Sequence, residues 1–98
     1  MSETHPRPEQ SALSARDARV KRLIYRASYT GMKETDLLLG QFAVRYLPDL
    51  SDDELTMFEA LLDEGDPKIL AWVQGDEEVP PTHQGRVIEM IKDFKINK

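Results

Sequence analysis

Apolar residues recur every three or four positions on both sides of a break at Thr30-Gly31, and this spacing constrains the fold more than any other feature. It predicts a first helix over residues 14–29 and a Leu-rich second helix over residues 32–47. Gly31 lies just past the first helix, where a residue without a Cβ can take the left-handed conformation. No alternating pattern typical of a strand follows in the chain. The break therefore determines how the first two helices pack.

Capping signals predict three more helices. Ser51-Asp52-Asp53-Glu54 is a capping box, in which the serine hydroxyl and the glutamate carboxylate each bind a free backbone N–H group. Gly65 ends this third helix, and Asp66-Pro67 caps and opens a fourth. A fifth helix is expected over residues 82–94, after a loop rich in proline and acidic residues.

The 98 residues suit one domain. The predicted fold class is all-α, a small single-domain five-helix bundle over residues 14–98, with a disordered N-terminal tail at residues 1–13. Gly40 inside helix two is expected to mark a close approach between helices. The inward faces are expected to hold Val20, Leu23, Ile24, Ala27, Leu37, Leu38, Leu39, Phe42, Ala43, Tyr46, Leu55, Phe58, Leu61, Leu62, Ile69, Leu70, Trp72, Val73, Val87, Ile88, Ile91 and Phe94.

Composition excludes several classes of protein. The chain contains no cysteine, which rules out disulfides, thiolate nucleophiles and Cys-ligated metal sites. No apolar run is long enough to span a bilayer, so membrane insertion is not expected. The first residues lack the features of a secretory signal or a mitochondrial transit peptide. We therefore expect a cytoplasmic protein, with a monomer as the default oligomeric state.

Charge is unevenly distributed along the chain. Residues 1–33 carry seven Lys/Arg against three Asp/Glu, whereas residues 34–81 carry two against thirteen. The acidic middle would repel a phosphate backbone, so nucleic-acid binding is not expected. A DNA-binding helix-turn-helix motif is not expected either. The helix after the turn would be its recognition helix, but its sequence, KETDLLLGQFAV, is acidic and Leu-rich and belongs in a core.

Catalysis has little support in the sequence. His5 lies in the predicted tail and His83 at a helix start, and neither has a nucleophile pattern near it. The acidic clusters Asp52–Glu54 and Asp76–Glu78 lack the alternating ligands and central glycine of a calcium loop. Capping and solvation explain them. We therefore expect no enzyme activity and no metal site.

The turn itself is the candidate partner-binding site. Gly31 can serve as a C-cap alone, and Glu34 can act only through the helix dipole. Alternatively, an exposed glycine lets another chain's backbone approach, with the Glu34 carboxylate held over the same spot and Arg26, Tyr29 and Lys33 near it.

Two aromatic residues flank this site. Tyr25 and Tyr29 are expected on the outer side of helix one, either as interface residues or as rings lying over neighbouring side chains. For the single tryptophan, Trp72, core packing is expected over a role as a partner anchor.

These motifs together resemble the succinate dehydrogenase assembly factor 2 family, the flavinators. The resemblance covers about residues 16–98 and rests on Arg22-Leu-Ile-Tyr25-Arg26, Gly31-Met-Lys-Glu34-Thr-Asp36, Leu50-Ser51, Asp66-Pro67 and Trp72. It implies a five-helix bundle that binds the flavoprotein subunit of succinate dehydrogenase or fumarate reductase. It also implies that such a protein promotes covalent attachment of FAD to a histidine of that subunit.

One residue departs from the signature Arg-Gly-x-x-Glu of that family. Thr30 stands at the arginine position, which removes a charge-assisted contact from the expected surface; Arg26 or Lys33 is a candidate to supply the charge. The resulting hypothesis is a non-catalytic assembly factor that docks through Tyr25, Arg26, Tyr29, Thr30, Gly31, Lys33 and Glu34, while FAD belongs to the partner. The alternative is a generic helical adaptor or regulator unrelated to flavin.

Overall fold

The computed structural model describes the backbone of residues 8–96 and the side chains of residues 15–95. Within this part of the chain there are five α-helices and no strand, as predicted. Short 3-10 turns at Leu47–Asp49 and Pro81–His83 precede α3 and α5. The helices are α1 (Pro8–Ser28), α2 (Lys33–Tyr46), α3 (Asp52–Glu64), α4 (Asp66–Gln74) and α5 (Arg86–Ile96).

Two helix starts differ from the predictions. The first helix begins at Pro8 and not at Ser14, because proline suits a first helical position and the intervening residues contain no helix breaker. Residues 1–7 lie outside the described residues, so the disordered tail stays a prediction there. The fifth helix begins at Arg86, since Gly85 has a φ of 148° and separates it from the preceding 3-10 turn.

The core is a single cluster of apolar side chains contributed by all five helices. Phe42 is fully buried at its centre, and its ring centroid lies 5.8 Å from that of Phe58 and 5.9 Å from that of Phe94. Trp72 is buried as well, which confirms core packing. The helical spacing therefore identified most inward positions correctly.

The hairpin of α1 and α2 is closed by a direct contact at Gly40. A Cβ built on Gly40 would lie 2.8 Å from Ser28 Oγ and 3.3 Å from Ser28 Cα, so the predicted close approach is confirmed. Leu37 lies at the edge of the inward stripe of α2, on the open surface that Ser28, Gly40 and Val44 also line. Leu37 is 49 % exposed, and its predicted place in the core is wrong.

Arginines on α1 attach this helix to α3. Arg16 lies 2.7 Å from Asp52, and Arg26 Nη2 lies 2.6 Å from Asp63 Oδ1. Between them, Arg19 contacts Glu59 at 3.3 Å. These partly exposed ion pairs, each worth about 0.2–1 kcal/mol, orient α1 more than they stabilise it.

None of the helices within residues 8–96 has the length and apolar character needed to cross a bilayer.

Candidate functional site

The connection between α1 and α2 is the four-residue segment Tyr29–Met32, here called the turn. The last bond of α1 is donated by the Tyr29 N–H to the Arg26 carbonyl at 3.2 Å. Gly31 then has a φ of 126°, a conformation that residues with a Cβ rarely adopt. The chain reverses direction at this point, which requires glycine.

Asp36, in the first turn of α2, binds the backbone of the turn. Its Oδ1 accepts the Thr30 N–H at 2.6 Å, the Gly31 N–H at 3.2 Å and the Thr30 hydroxyl. The Thr30 hydroxyl, followed by these backbone N–H groups, keeps the pKa of Asp36 below its usual value. Thr30, the residue at the arginine position of the signature, is therefore part of the support of the turn.

Replacing Thr30 by valine is expected to raise the pKa of Asp36 toward the ordinary value, because valine keeps the shape of threonine and lacks the donor. NMR titration of the side-chain carboxyl groups measures this. The pKa of Glu54, which the Ser51 N–H and Arg86 lower, serves as the control and stays unchanged. An unaltered pKa of Asp36 would contradict the assigned cause.

The same change predicts a pH-dependent loss of stability. Because the pKa of Asp36 is lowered in the folded protein, its contacts stabilise the fold above the ordinary pKa of an aspartate. That stabilisation is lost as the pH falls through the folded-state pKa. The stability difference between the wild-type chain and Thr30→Val should therefore shrink on acidification.

Asp66 holds the other end of the turn. It is 7 % exposed, and its Oδ2 accepts the Met32 N–H at 2.8 Å. The prediction that Asp66 caps its own helix is wrong: Gly65 occupies the N-cap position, and no side chain caps α4. The tertiary contact with Met32 uses the carboxylate instead.

The structure separates the charged residues of the predicted site. Arg26 pairs with Asp63 on α3, whereas the Glu34 carboxylate lies 3.7 Å from Lys95 Nζ on α5. Glu34 remains 57 % exposed in this pair, and Lys33 is exposed beside it. Among the described side chains, Glu34 makes no ion pair with Arg26 or Lys33. The Glu34 carboxylate is accessible, but the cation that it pairs with is Lys95 and not Arg26 or Lys33, which were expected near it.

The large apolar side chains that are exposed within residues 15–95 belong to the α1–α2 hairpin. Tyr25 and Tyr29 are each 69 % exposed, and their ring centroids lie 4.7 Å apart. Within residues 15–95, the large apolar side chains that are exposed are Tyr25, Tyr29, Met32, Leu37 and Val44. We call the exposed side chains of Tyr25, Tyr29, Met32 and Glu34 around Gly31 the turn face. Exposed aromatic side chains are typical of interaction surfaces.

The other chemically interesting residues have structural roles. His83 is buried, with Nε2 2.9 Å from Glu64 Oε2 and its ring 5.3 Å from that of Trp72. Both bonds of the capping box between Ser51 and Glu54 are present. Among the described side chains, no group of three His, Asp or Glu residues is placed to hold a metal ion.

A family model and several curated proteins are similar to this chain, and all of them are named for succinate dehydrogenase. The family model described as flavinator of succinate dehydrogenase matches residues 21–95, which include the turn and all five helices in part or whole. A protein of Danio rerio named succinate dehydrogenase assembly factor 2, mitochondrial, is 34% identical over 92 residues, covering 92% of this chain and 58% of that protein.

Proteins of the same name from other organisms are also similar to this chain. The one from Komagataella phaffii is 41% identical over 80 residues, covering 82% of this chain and 40% of that protein. The one from Drosophila grimshawi is 36% identical over 81 residues, covering 81% and 55%. The chain thus spans about half the length of these relatives. On these matches and its five-helix fold, the chain belongs to the family described as the flavinator of succinate dehydrogenase.

Proposed function

We propose that this chain is an assembly factor that binds the flavoprotein subunit of succinate dehydrogenase or fumarate reductase and promotes the covalent attachment of FAD to it. The observation that carries the proposal is the match of residues 21–95 to the flavinator family, since the matched segment contains the whole turn face. The name shared by the relatives, succinate dehydrogenase assembly factor 2, supports the same role.

The turn face is the proposed docking surface for this client. Its exposed tyrosines offer apolar area with a polar tip, and Glu34 offers an accessible carboxylate. Gly31 lets the backbone of the client come close. Two buried or half-buried carboxylates, Asp66 and Asp36, hold the backbone of the turn in one conformation, which reduces the entropy lost on docking.

The proposed mechanism is conformational and non-catalytic. By docking on the client, the chain favours the arrangement in which the client's histidine and its FAD are correctly placed for bond formation. The flavin supplies its own chemistry. In this proposal FAD is held by the client, the chain needs no cofactor of its own, and it acts as a monomer.

The compartment is proposed to be the one in which the client folds. The sequence predicts a cytoplasmic location, whereas the relatives are named mitochondrial. Cell fractionation, with the flavoprotein subunit as the reference, distinguishes the two locations.

Replacing Glu34 by alanine is expected to reduce covalent flavin in the client severalfold and to leave the fold intact. The side chain is exposed and its pair with Lys95 is long, so its loss should change stability by less than about 1 kcal/mol. In-gel flavin fluorescence of the flavoprotein subunit, produced with and without each variant, measures the attachment. Co-purification measures complex formation.

Glu89→Ala is the matched control for this change. Glu89 also lies in the first turn of a helix and also pairs with a lysine at 3.7 Å, but on α5. The Glu89→Ala change should leave the amount of covalent flavin in the client unchanged. If covalent flavin forms equally well without the wild-type chain and no complex is found, the proposed function is wrong. If attachment requires the wild-type chain and Glu34→Ala supports it as well as the wild type does, the role of Glu34 is wrong and the function stands.

A further inference from the structure

Asp66 is a buried carboxylate whose side chain serves a distant part of the chain. It is the first residue of α4 and is 7 % exposed, yet its Oδ2 accepts the N–H of Met32, 34 positions away. A carboxylate at this depth requires hydrogen-bond donors, because burial without them is strongly unfavourable. The first turn of α4 also favours a negative charge there.

Asp66 and Asp36 together bind three consecutive backbone N–H groups. Asp36 accepts those of Thr30 and Gly31, and Asp66 accepts that of Met32. Asp36 belongs to α2, which the turn itself opens, whereas Asp66 belongs to α4. Asp66 therefore supplies the bond that ties the turn to another part of the bundle.

The bonds from Asp36 and Asp66 also limit which groups of the turn a partner can bind. The three N–H groups are occupied by carboxylates of the chain itself and are not available to the client. A Cβ built on Gly31 would lie 3.7 Å from Asp66 Oδ2, so the carboxylate lies directly behind the glycine. Recognition at the turn must use the open side of Gly31 and the neighbouring side chains, and their positions depend on Asp66.

We propose that Asp66 is a positioning residue for client binding: by holding the Met32 N–H it fixes Gly31 and Glu34 in the geometry that the flavoprotein subunit recognises. The inference rests on the proposed function and extends it to a residue that is itself nearly covered. A preorganised surface loses less entropy on binding, so release of the turn weakens the complex.

The test is the affinity of the full chain for the flavoprotein subunit, measured by titration at a temperature at which every variant is folded. Asp66→Ala is expected to weaken binding about tenfold, on the order of the effect of one lost buried hydrogen bond. Asp66→Asn keeps an acceptor oxygen at the same place and should restore most of the affinity. Asp76→Ala, an exposed aspartate after α4, is the control and should bind like the wild type.

Hydrogen exchange of the Met32 N–H provides a second measurement that a general loss of stability does not reproduce. It should accelerate in Asp66→Ala while the N–H groups inside α3 stay protected at the same temperature. If Asp66→Ala does not fold, Asp66→Glu replaces it, because it keeps the charge and displaces the carboxylate by one methylene. Weaker binding with faster Met32 exchange is again expected.

Two results overturn the inference in distinguishable ways. If the wild-type chain binds the client and the Asp66 variants bind equally tightly despite faster Met32 exchange, Asp66 has no positioning role and the proposed function stands. If the wild-type chain itself does not bind, the proposed function and this inference are both wrong.

Discussion

Replacing Phe42 by alanine is expected to lower the free energy of unfolding by about 3–5 kcal/mol, the range for aromatic side chains removed from protein cores. The ring is fully buried and touches aromatic rings of α3 and α5, so its removal affects three helices at once. The surrounding side chains belong to different helices and cannot all close over the cavity. Native proteins have only about 5–15 kcal/mol of stability in total, so a large share of the margin would be lost.

Urea unfolding followed by the fluorescence of Trp72, the single tryptophan, measures this loss. Tyr29→Ala is the control, because it also removes an aromatic ring but from an exposed position. It should change the free energy of unfolding by about 0.5 kcal/mol or less. A loss below about 1 kcal/mol for Phe42→Ala would show that the core around α2 tolerates a cavity.

These two residues show what the sequence could predict about the fold. The spacing of apolar residues placed Phe42 inward and Tyr29 outward, because an amphipathic helix in a small bundle has one buried side. The same reasoning failed at Leu37. That residue borders the inward stripe of α2 and is 49 % exposed, beside the close contact between Gly40 and Ser28. A pattern within one helix cannot include a neighbour on another helix.

The charge pattern had a structural meaning that the sequence alone did not reveal. The basic first helix and the acidic middle of the chain are partners, since Arg16, Arg19 and Arg26 pair with acidic residues of α3. From the sequence, capping and solvation are enough to explain Asp52, one of these three acidic partners. The opposite charges of the two segments are visible in the sequence. They identify ion-pair partners only when the two helices are known to run side by side.

The sequence predicted the residues at the centre of the candidate site, but not the residues that hold the turn in place. Gly31 and Glu34 were recognisable because a glycine break and a following carboxylate are local features. The roles of Asp36 and Asp66 were not recognisable, because an aspartate near a helix start is normally a cap. Their actual bonds join segments that the fold brings together, six and 34 positions apart.

Replacing Gly31 by alanine is expected to weaken client binding by tenfold or more and to lower the free energy of unfolding by about 1–2 kcal/mol. Space is not the limit, since the nearest atom to the new Cβ would be Asp66 Oδ2 at 3.7 Å, an ordinary contact distance. The limit is the φ of 126°, which an alanine avoids by rotating the backbone. That rotation would pull the neighbouring N–H groups away from Asp36 and Asp66.

Gly75→Ala separates the local effect from the loss of stability. Gly75 also has a positive φ, 85°, and a Cβ there would meet no atom within 4 Å, but it lies at the opposite end of α4 from Asp66. Alanine should strain this position too and lower stability, with no loss of client affinity in the folded protein. Titration of the flavoprotein subunit with both variants, alongside thermal unfolding, makes the comparison. Equal losses of affinity would mean that binding depends on overall stability, whereas a loss confined to Gly31→Ala ties recognition to the backbone of the turn.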